Sequence, residues 1–297
     1  MPAPHPALAQ GNTAVVTGAG GGAGIGYAIA LQLLQRYGLK VLLSDLSTDA
    51  LERTSEALVK AGVDSAAFFT HAADVSQWEE VKELSNVAFE KLGRVDFLIL
   101  NAGVQRPTKD FTEISSADDQ LAAWNQTLGV NFYGVLHGTQ AFTDRMVAQS
   151  TPAAIVVTGS KQGITQPPGN PAYNVSKSAV KSLTESLAHS LIPTSVSAHL
   201  LVPGYTYTKL TAGGNDFDHA NKPAAAWTSD QVAEELFARL DEFYIICPDN
   251  DVNWALDSAR MEWNANDILK KRPALSRWHP EYEKEFAEFV KSKTAAK

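Results

Sequence analysis

The sequence has one cysteine, Cys247, among its 297 residues. A single thiol excludes an internal disulfide, and no cysteine cluster exists to hold zinc. Cys247 lies in an apolar run, so it is expected to pack as a buried side chain rather than react. No apolar stretch approaches the roughly 18 residues of a membrane span. Residues 1–10 lack the basic start and apolar segment of a secretory signal and the arginines of a mitochondrial presequence. A cytoplasmic location is therefore expected. Positive charge is also scarce: 25 Lys and Arg stand against 33 Asp and Glu, a formal net charge of -8. Without a basic block, nucleic acid and anionic membrane surfaces are poor partners. His137, His189 and His199 show no metal-ligand spacing, so no metal is expected. No repeat, low-complexity tract or linker divides the chain.

What is present is an ordinary globular composition, 44% hydrophobic and 20% charged, long enough for a large core. Short β-branched runs alternate with longer helical patterns. Strands are predicted at 13–17, 40–44, 66–71, 95–100, 154–158, 195–201 and 244–247. Helices are predicted at 24–36, 48–61, 76–92, 118–147 and 171–191, with another opening at Thr228. Ser76-Gln-Trp-Glu79 reads as a capping box, and Gly62 and Gly93 as helix stops. The alternation implies an α/β fold: a doubly wound, Rossmann-type seven-stranded parallel sheet with helices on both faces. It forms a single domain over 12–250, with a C-terminal helical extension over 251–297 and a disordered or loosely packed N-terminus over 1–11.

The segment from Thr17 to Gly26 (TGAGGGAGIG) follows the first strand and opens a helix. Glycines there let backbone approach a pyrophosphate, and the helix N-terminus attracts its charge. Asp45 ends the second strand, 19 residues after Gly26, where a carboxylate can grip the adenosine ribose hydroxyls. Capping of the turn at 47–50 is the alternative role. A 2′-phosphate about 4 Å from Asp45 would meet up to roughly 4 kcal/mol of repulsion. Ser44, Leu46 and Ser47 supply no cation to reverse this, so NAD is the expected cofactor.

Several further pieces stand in a consistent order. Gly24, Ile25 and Gly26 form the exit of the glycine loop. Asp74-Val75 follows the third strand, and Asn101-Ala102-Gly103 ends the fourth. Asn131 sits in a Val-Asn-Phe-Tyr-Gly run, and Ser160 ends the fifth strand, 13 residues before Tyr173. Tyr173-Asn-Val-Ser-Lys177 follows, then Pro203-Gly204 with Thr206 and Thr208. Over residues 12–248 this order resembles the short-chain dehydrogenase/reductase family. The resemblance implies that Asn131, Ser160, Tyr173 and Lys177 are catalytic. It implies cofactor contacts from Gly18, Gly24, Ile25, Gly26, Asp45, Asp74, Val75, Asn101, Ala102, Gly103, Tyr173, Lys177, Pro203, Gly204, Thr206 and Thr208. Two departures stand out. Residues 19–23 place five residues where the family usually has three, read as a two-residue insertion that leaves open which glycines touch phosphate. The strand at 244–247 lacks the family's Gly-Gly ending.

Tyr173 and Lys177 are four apart on one predicted helix, so they share a face. A phenol with a pKa near 10 is a poor base at neutral pH, and lowering it by two or three units takes about 3–4 kcal/mol. An ammonium about 4 Å away supplies roughly that at an effective dielectric near 20. The resemblance further implies that Lys177 binds the nicotinamide ribose, that Ser160 holds the substrate oxygen, and that Asn131 holds a water leading to solvent. Gln162, Asn170 and Tyr205 neighbour these motifs and are candidate substrate contacts.

The expected activity is hydride transfer between NAD(H) and a small, apolar or cyclic alcohol or ketone. A sugar-nucleotide epimerase or dehydratase is opposed by Asn101-Ala102-Gly103, by the Ser160-to-Tyr173 spacing and by the short C-terminal part. A non-catalytic dinucleotide sensor or assembly module is opposed by the intact tetrad. Family helices equivalent to 118–147 and 171–191 pair across a twofold axis, which implies a homodimer or homotetramer. Residues 205–227, without a clear period, read as a binding loop. The tail carries Trp254, Trp263 and Trp278, and it is expected to cover or border the cleft, or else to pack elsewhere.

Overall fold

The computed structural model describes residues 5–113, 116–212 and 218–295. Its centre is a parallel sheet of β1 (Thr13–Thr17), β2 (Lys40–Asp45), β3 (Phe68–Ala72), β4 (Phe97–Leu100), β5 (Ala153–Thr158), β6 (Val196–Val202) and β7 (Tyr244–Ile246). The sheet is parallel with seven strands, as the alternation predicted, and its spatial order is β3-β2-β1-β4-β5-β6-β7. β1, β4 and β5 are buried along their whole length, which is why they read as unbroken apolar runs.

Successive residues face opposite sides of a strand, and the two cores follow that period. Ala14, Val16, Phe97, Ile99 and Val156 enter one core; Val15, Leu98, Leu100 and Ile155 enter the other. The first is covered by α1 (Ile25–Gln35), α2 (Thr48–Lys60) and α8 (Ser229–Ala238). The second is covered by α3 (Trp78–Leu92), α5 (Gly134–Ala148) and α7 (Pro171–Leu191). Two further helices, α4 (Ala117–Leu128) and the short α6 (Gln162–Thr165), complete the domain, and α9 (Trp254–Leu269) and α10 (Glu283–Thr294) form the C-terminal extension. No helix is long and apolar enough to cross a membrane among the described residues.

Several expected boundaries moved for identifiable reasons. Ser76 does not cap α3: the N-cap is Gln77, with no side-chain bond. The Asp74 carboxylate instead accepts from Ser76 N at 2.9 Å, and Glu80 accepts from Asp74 N at 2.7 Å. β4 starts at Phe97 rather than Val95, because the Gln149 amide satisfies both Val95 N and Val95 O. The predicted helix over 118–147 is broken by a π turn at Gly129–Tyr133. The N-terminus is not loose over Pro6–Leu8: Ala7 and Leu8 join the first core, and Asn12 Nδ2 donates to Pro6 O and Ala7 O. The helix opening at Thr228 does carry a reciprocal capping box with Gln231.

The extension packs around Trp263, which is almost fully buried. Its Nε1 donates to Ser276 Oγ at 2.9 Å, the Arg272 guanidinium lies 3.6 Å from its ring centroid, and Phe286 and Phe289 meet it edge-on. Asn264 Nδ2 donates to Ile164 O at 2.8 Å and docks α9 on α6. Trp254 and Trp278 remain partly exposed.

Candidate active site

The strand order reverses at β1 and β4, so the loops leaving their carboxyl ends part and open a crevice. One cleft there is lined from Gly18 and Asp45 at one end to Ser160, Tyr173 and Lys177 at the other.

The turn from β1 to α1 forms the floor. Gly26 packs where no side chain fits: a Cβ would lie 2.3 Å from Gly18 O. Gly18 is pressed equally against Ala102. Gly26 thus lies beneath the cleft and does not line it. Gly24, with φ of 91°, is the N-cap of α1 and borders open space. It is the glycine best placed to present backbone to a phosphate. The residues read as an insertion form a 3-10 turn, Gly20–Gly22, tied down by two side chains. Gly20 N donates to Asp45 Oδ2 at 2.8 Å and Gly22 N to Thr54 Oγ1 at 2.9 Å.

Asp45 is held by Gly20 N and by Leu46 N, which donates to Oδ1 at 2.9 Å. Leu46 beside it is exposed and uncharged. Asp74 and Val75 line the same end of the cleft. Asn101 is a fastener between strands: Oδ1 accepts from Thr158 Oγ1, and Nδ2 donates to Thr17 O and Gly18 O. Ala102 and Gly103 follow it along the wall, and Pro203, Gly204, Thr206 and Thr208 form the opposite side. Thr206 Oγ1 is buried there with no hydrogen-bond partner among the described residues. An orphaned hydroxyl in a cleft wall costs free energy unless a ligand satisfies it. The phosphate-ready turn, the carboxylate at the end of β2 and this hydroxyl together fit a dinucleotide.

At the other end, α7 delivers the reactive pair. Pro171 occupies its first turn, and Asn170 caps it by accepting from Tyr173 N at 3.4 Å. Lys177 is buried, with Nζ donating to Thr158 O at 2.8 Å and lying 5.8 Å from the Tyr173 ring centroid. Burial lowers its pKa to about 8. Burial raises the Tyr173 pKa, and a hydrogen bond with Ser160 opposes that rise. The expected lowering of Tyr173 by Lys177 is thus not what dominates here; burial of the phenol does. Ser160, at the exit of β5, accepts from Gln162 N at 3.2 Å and shares a hydrogen bond with Tyr173.

Asn131 lies inside the π turn and is fully buried. Its Oδ1 accepts from Val104 N at 2.8 Å, and its Nδ2 donates to Val104 O and Ser176 Oγ. It stands behind the wall near Gly103, without lining the cleft. A π turn often marks a functional position in a helix.

The three candidate substrate residues do not line the cleft. Asn170 is consumed as a cap, also accepting from Thr108 Oγ1; Gln162 opens α6; and Tyr205 is half-exposed, with its N–H on Asp249. Missed in the sequence were Val104, Val130 and the segment Lys209 to Thr211, which do line it. Lys209 Nζ approaches the glycine turn, 3.0 Å from where a Gly21 Cβ would stand. The loop carrying Lys209 is pinned at its base by Tyr207 N to Trp227 O and Trp227 N to Tyr205 O. Its residues 213–217 fall outside the described part. No described residue of the C-terminal extension lines the cleft.

Comparison with known proteins agrees with this geometry. The family profile described as short chain dehydrogenase matches residues 12–218. The chain is 32% identical over 238 residues to 1-deoxy-11-beta-hydroxypentalenate dehydrogenase of Streptomyces avermitilis, covering 80% of this chain and 84% of that protein. It is 29% identical over 209 residues to 3beta-hydroxysteroid dehydrogenase 2 of Eggerthella lenta, covering 70% and 76%. Among solved structures, a short chain dehydrogenase/reductase from Burkholderia phymatum in complex with NAD superposes with a TM-score of 0.74 at 31% identity, over 89% of this chain and 96% of that one. A 3-ketoacyl-(acyl-carrier-protein) reductase from Brucella melitensis complexed with NADH gives 0.64 at 26% identity, over 78% and 92%. The profile spans most of the sheet and both ends of the cleft, and the motif residues meet at the crevice that the strand order creates; the chain belongs to the short-chain dehydrogenase/reductase family.

Proposed function

We propose that the protein is an NAD-preferring dehydrogenase of a secondary alcohol, or the reductase of the matching ketone, on a small apolar or cyclic carbon skeleton. The observation that carries this is the placement of Ser160, Tyr173 and Lys177 at one end of a cleft whose other end holds Asp45. The related proteins named for a hydroxypentalenate and a hydroxysteroid act on hydroxyls of cyclic skeletons, which favours a similar substrate class here.

A nicotinamide bound between Tyr173 and the Pro203–Thr208 wall would supply the hydride acceptor or donor. The chain's own residues do the proton work. Ser160 donates its hydroxyl hydrogen to the reacting oxygen and fixes its position. Tyr173, kept protonated at neutral pH by burial, gives its proton to that oxygen during ketone reduction. In alcohol oxidation the phenolate takes the proton back, and its charge is favoured by the Lys177 ammonium below pH 8. Lys177 would also hold the nicotinamide ribose, while Asn131 holds the backbone at Val104 in place. Asp45 would accept from the adenosine ribose hydroxyls and repel a 2′-phosphate; Lys209 is the one cation lining the cleft besides Lys177 among the described residues.

The test is a panel of cyclic and open-chain secondary alcohols and ketones, assayed with NAD(H) and NADP(H) at 340 nm. Turnover of a cyclic member with NAD is expected. A panel without turnover, despite measurable NAD binding, would contradict the reading. The family's twofold pairing leads us to expect at least a homodimer, which sedimentation at micromolar concentration would check.

A further inference from the structure

Next to Ser160 in sequence, but off the cleft, lies a compact charge cluster. Lys161 Nζ is 2.6 Å from Asp257 Oδ2 and 3.2 Å from Asp249 Oδ2. All three side chains are largely withdrawn from solvent, 12%, 4% and 9% exposed. Burial raises the Asp257 pKa, and the Lys161 ammonium opposes that rise. Each partner comes from a different part of the fold. Lys161 follows β5, Asp249 follows β7, and Asp257 belongs to α9 of the extension. The other oxygen of Asp249 accepts from Tyr205 N at 2.6 Å, and its carboxylate fills the space a Gly204 side chain would need. The backbone adds two ties: Gly159 N donates to Leu201 O at 2.7 Å and Lys161 N to Pro203 O at 3.3 Å. Lys161 O then accepts from Ile164 N and Thr165 N, the start of α6 on which α9 docks.

We propose that Lys161 is a positioning residue: its ammonium, held between Asp249 and Asp257, fixes the turn that carries Ser160 and couples that turn to the C-terminal extension. Rate then depends on the extension although none of its described residues lines the cleft. A serine hydroxyl displaced by a fraction of an ångström no longer meets the reacting oxygen in line, and such misplacement costs up to about a hundredfold in rate. The cluster stands away from Asp45 and the glycine turn, and removing the Lys161 ammonium leaves the Asp249 contact to Tyr205 N in place, so nucleotide affinity stays close to that of wild type. This rests on the reading that Ser160 holds the reacting oxygen.

The experiment is a double-mutant cycle on the full chain, using the panel alcohol that turns over fastest. Wild type, Lys161→Met, Ser160→Ala and the double variant are compared in kcat and KM, with the NAD dissociation constant measured by tryptophan fluorescence. Lys161→Met is expected to lower kcat about tenfold or more in the wild-type background and less than about threefold in the Ser160→Ala background, with NAD affinity within about twofold. Asp257→Asn keeps the shape of the cluster and one of its ion pairs, and it is run through the same cycle should Lys161→Met fail to fold. Equal losses in both backgrounds would show a merely structural cluster and overturn the proposal. So would wild-type kcat in the Lys161 and Asp257 variants while Ser160→Ala is slow. A Ser160→Ala variant at wild-type rate, or a panel without turnover, would remove the underlying reading, and the proposal with it.

Discussion

Replacing Lys177 with methionine removes a buried ammonium while keeping an unbranched side chain of similar helix propensity. Moving an amine's pKa from its ordinary 10.5 to about 8 by burial costs roughly 3 kcal/mol of folding stability at pH 7, at about 1.4 kcal/mol per pKa unit. Methionine escapes that cost but leaves Thr158 O without the Lys177 donor, a loss of about 1–2 kcal/mol. The net expectation is a variant about 1–2 kcal/mol more stable than wild type at pH 7, and inactive. The pH dependence has a definite sign. Between pH 8 and 10.5 the unfolded chain holds the Lys177 proton and the folded chain does not, so wild-type stability rises with pH through that window. The advantage of Lys177→Met should therefore shrink from pH 8 upward and reverse near pH 10. Urea unfolding of both proteins at pH 7 and pH 10, with no nucleotide added, measures this. A variant clearly less stable than wild type at pH 7, or a difference that does not change with pH, would refute the argument.

Other outcomes follow from the same geometry. Wild type is expected to prefer NAD in kcat/KM, and Asp45→Ala with Leu46→Arg to shift the preference toward NADP by at least about tenfold; a wild-type preference for NADP would show that Lys209 outweighs Asp45. With Tyr173 raised by burial, ketone reduction should hold through neutral pH while alcohol oxidation climbs toward alkaline pH; initial rates in both directions check it, and a common acidic optimum would count against Tyr173 as the proton carrier. Trp263→Ala removes the centre of the extension's core, at a cost of about 3–5 kcal/mol. Limited proteolysis should then cut within residues 251–295 while NAD binding, measured by titration, persists.

The parts of this fold that were legible in sequence are those where one local pattern decides the structure. β1, β4 and β5 are buried on both faces, so their apolar runs had no rival reading. Pro171 with Asn170 before it is a helix start by local chemistry alone, and α7 begins there. Where two local groups compete, sequence reading failed: Ser76 looked like a cap, but the nearer Asp74 carboxylate took its N–H. Gln162 and Asn170 lie beside the catalytic motifs, yet neither lines the cleft, and Asn170 is taken up as the cap of α7. The partners that mattered instead, Lys209 at the glycine turn and Asp249 and Asp257 around Lys161, come together only through tertiary packing. No spacing rule announces a contact between residues 88 or 96 positions apart.

In the proposed reaction Tyr173 moves the proton in a hydride transfer carried out at this cleft. The most direct test of this is Tyr173→Phe, which deletes only the phenolic oxygen. Turnover of the best panel alcohol should fall at least about a hundredfold, while the NAD dissociation constant stays within about threefold of wild type. Turnover near the wild-type rate in that variant would contradict the account.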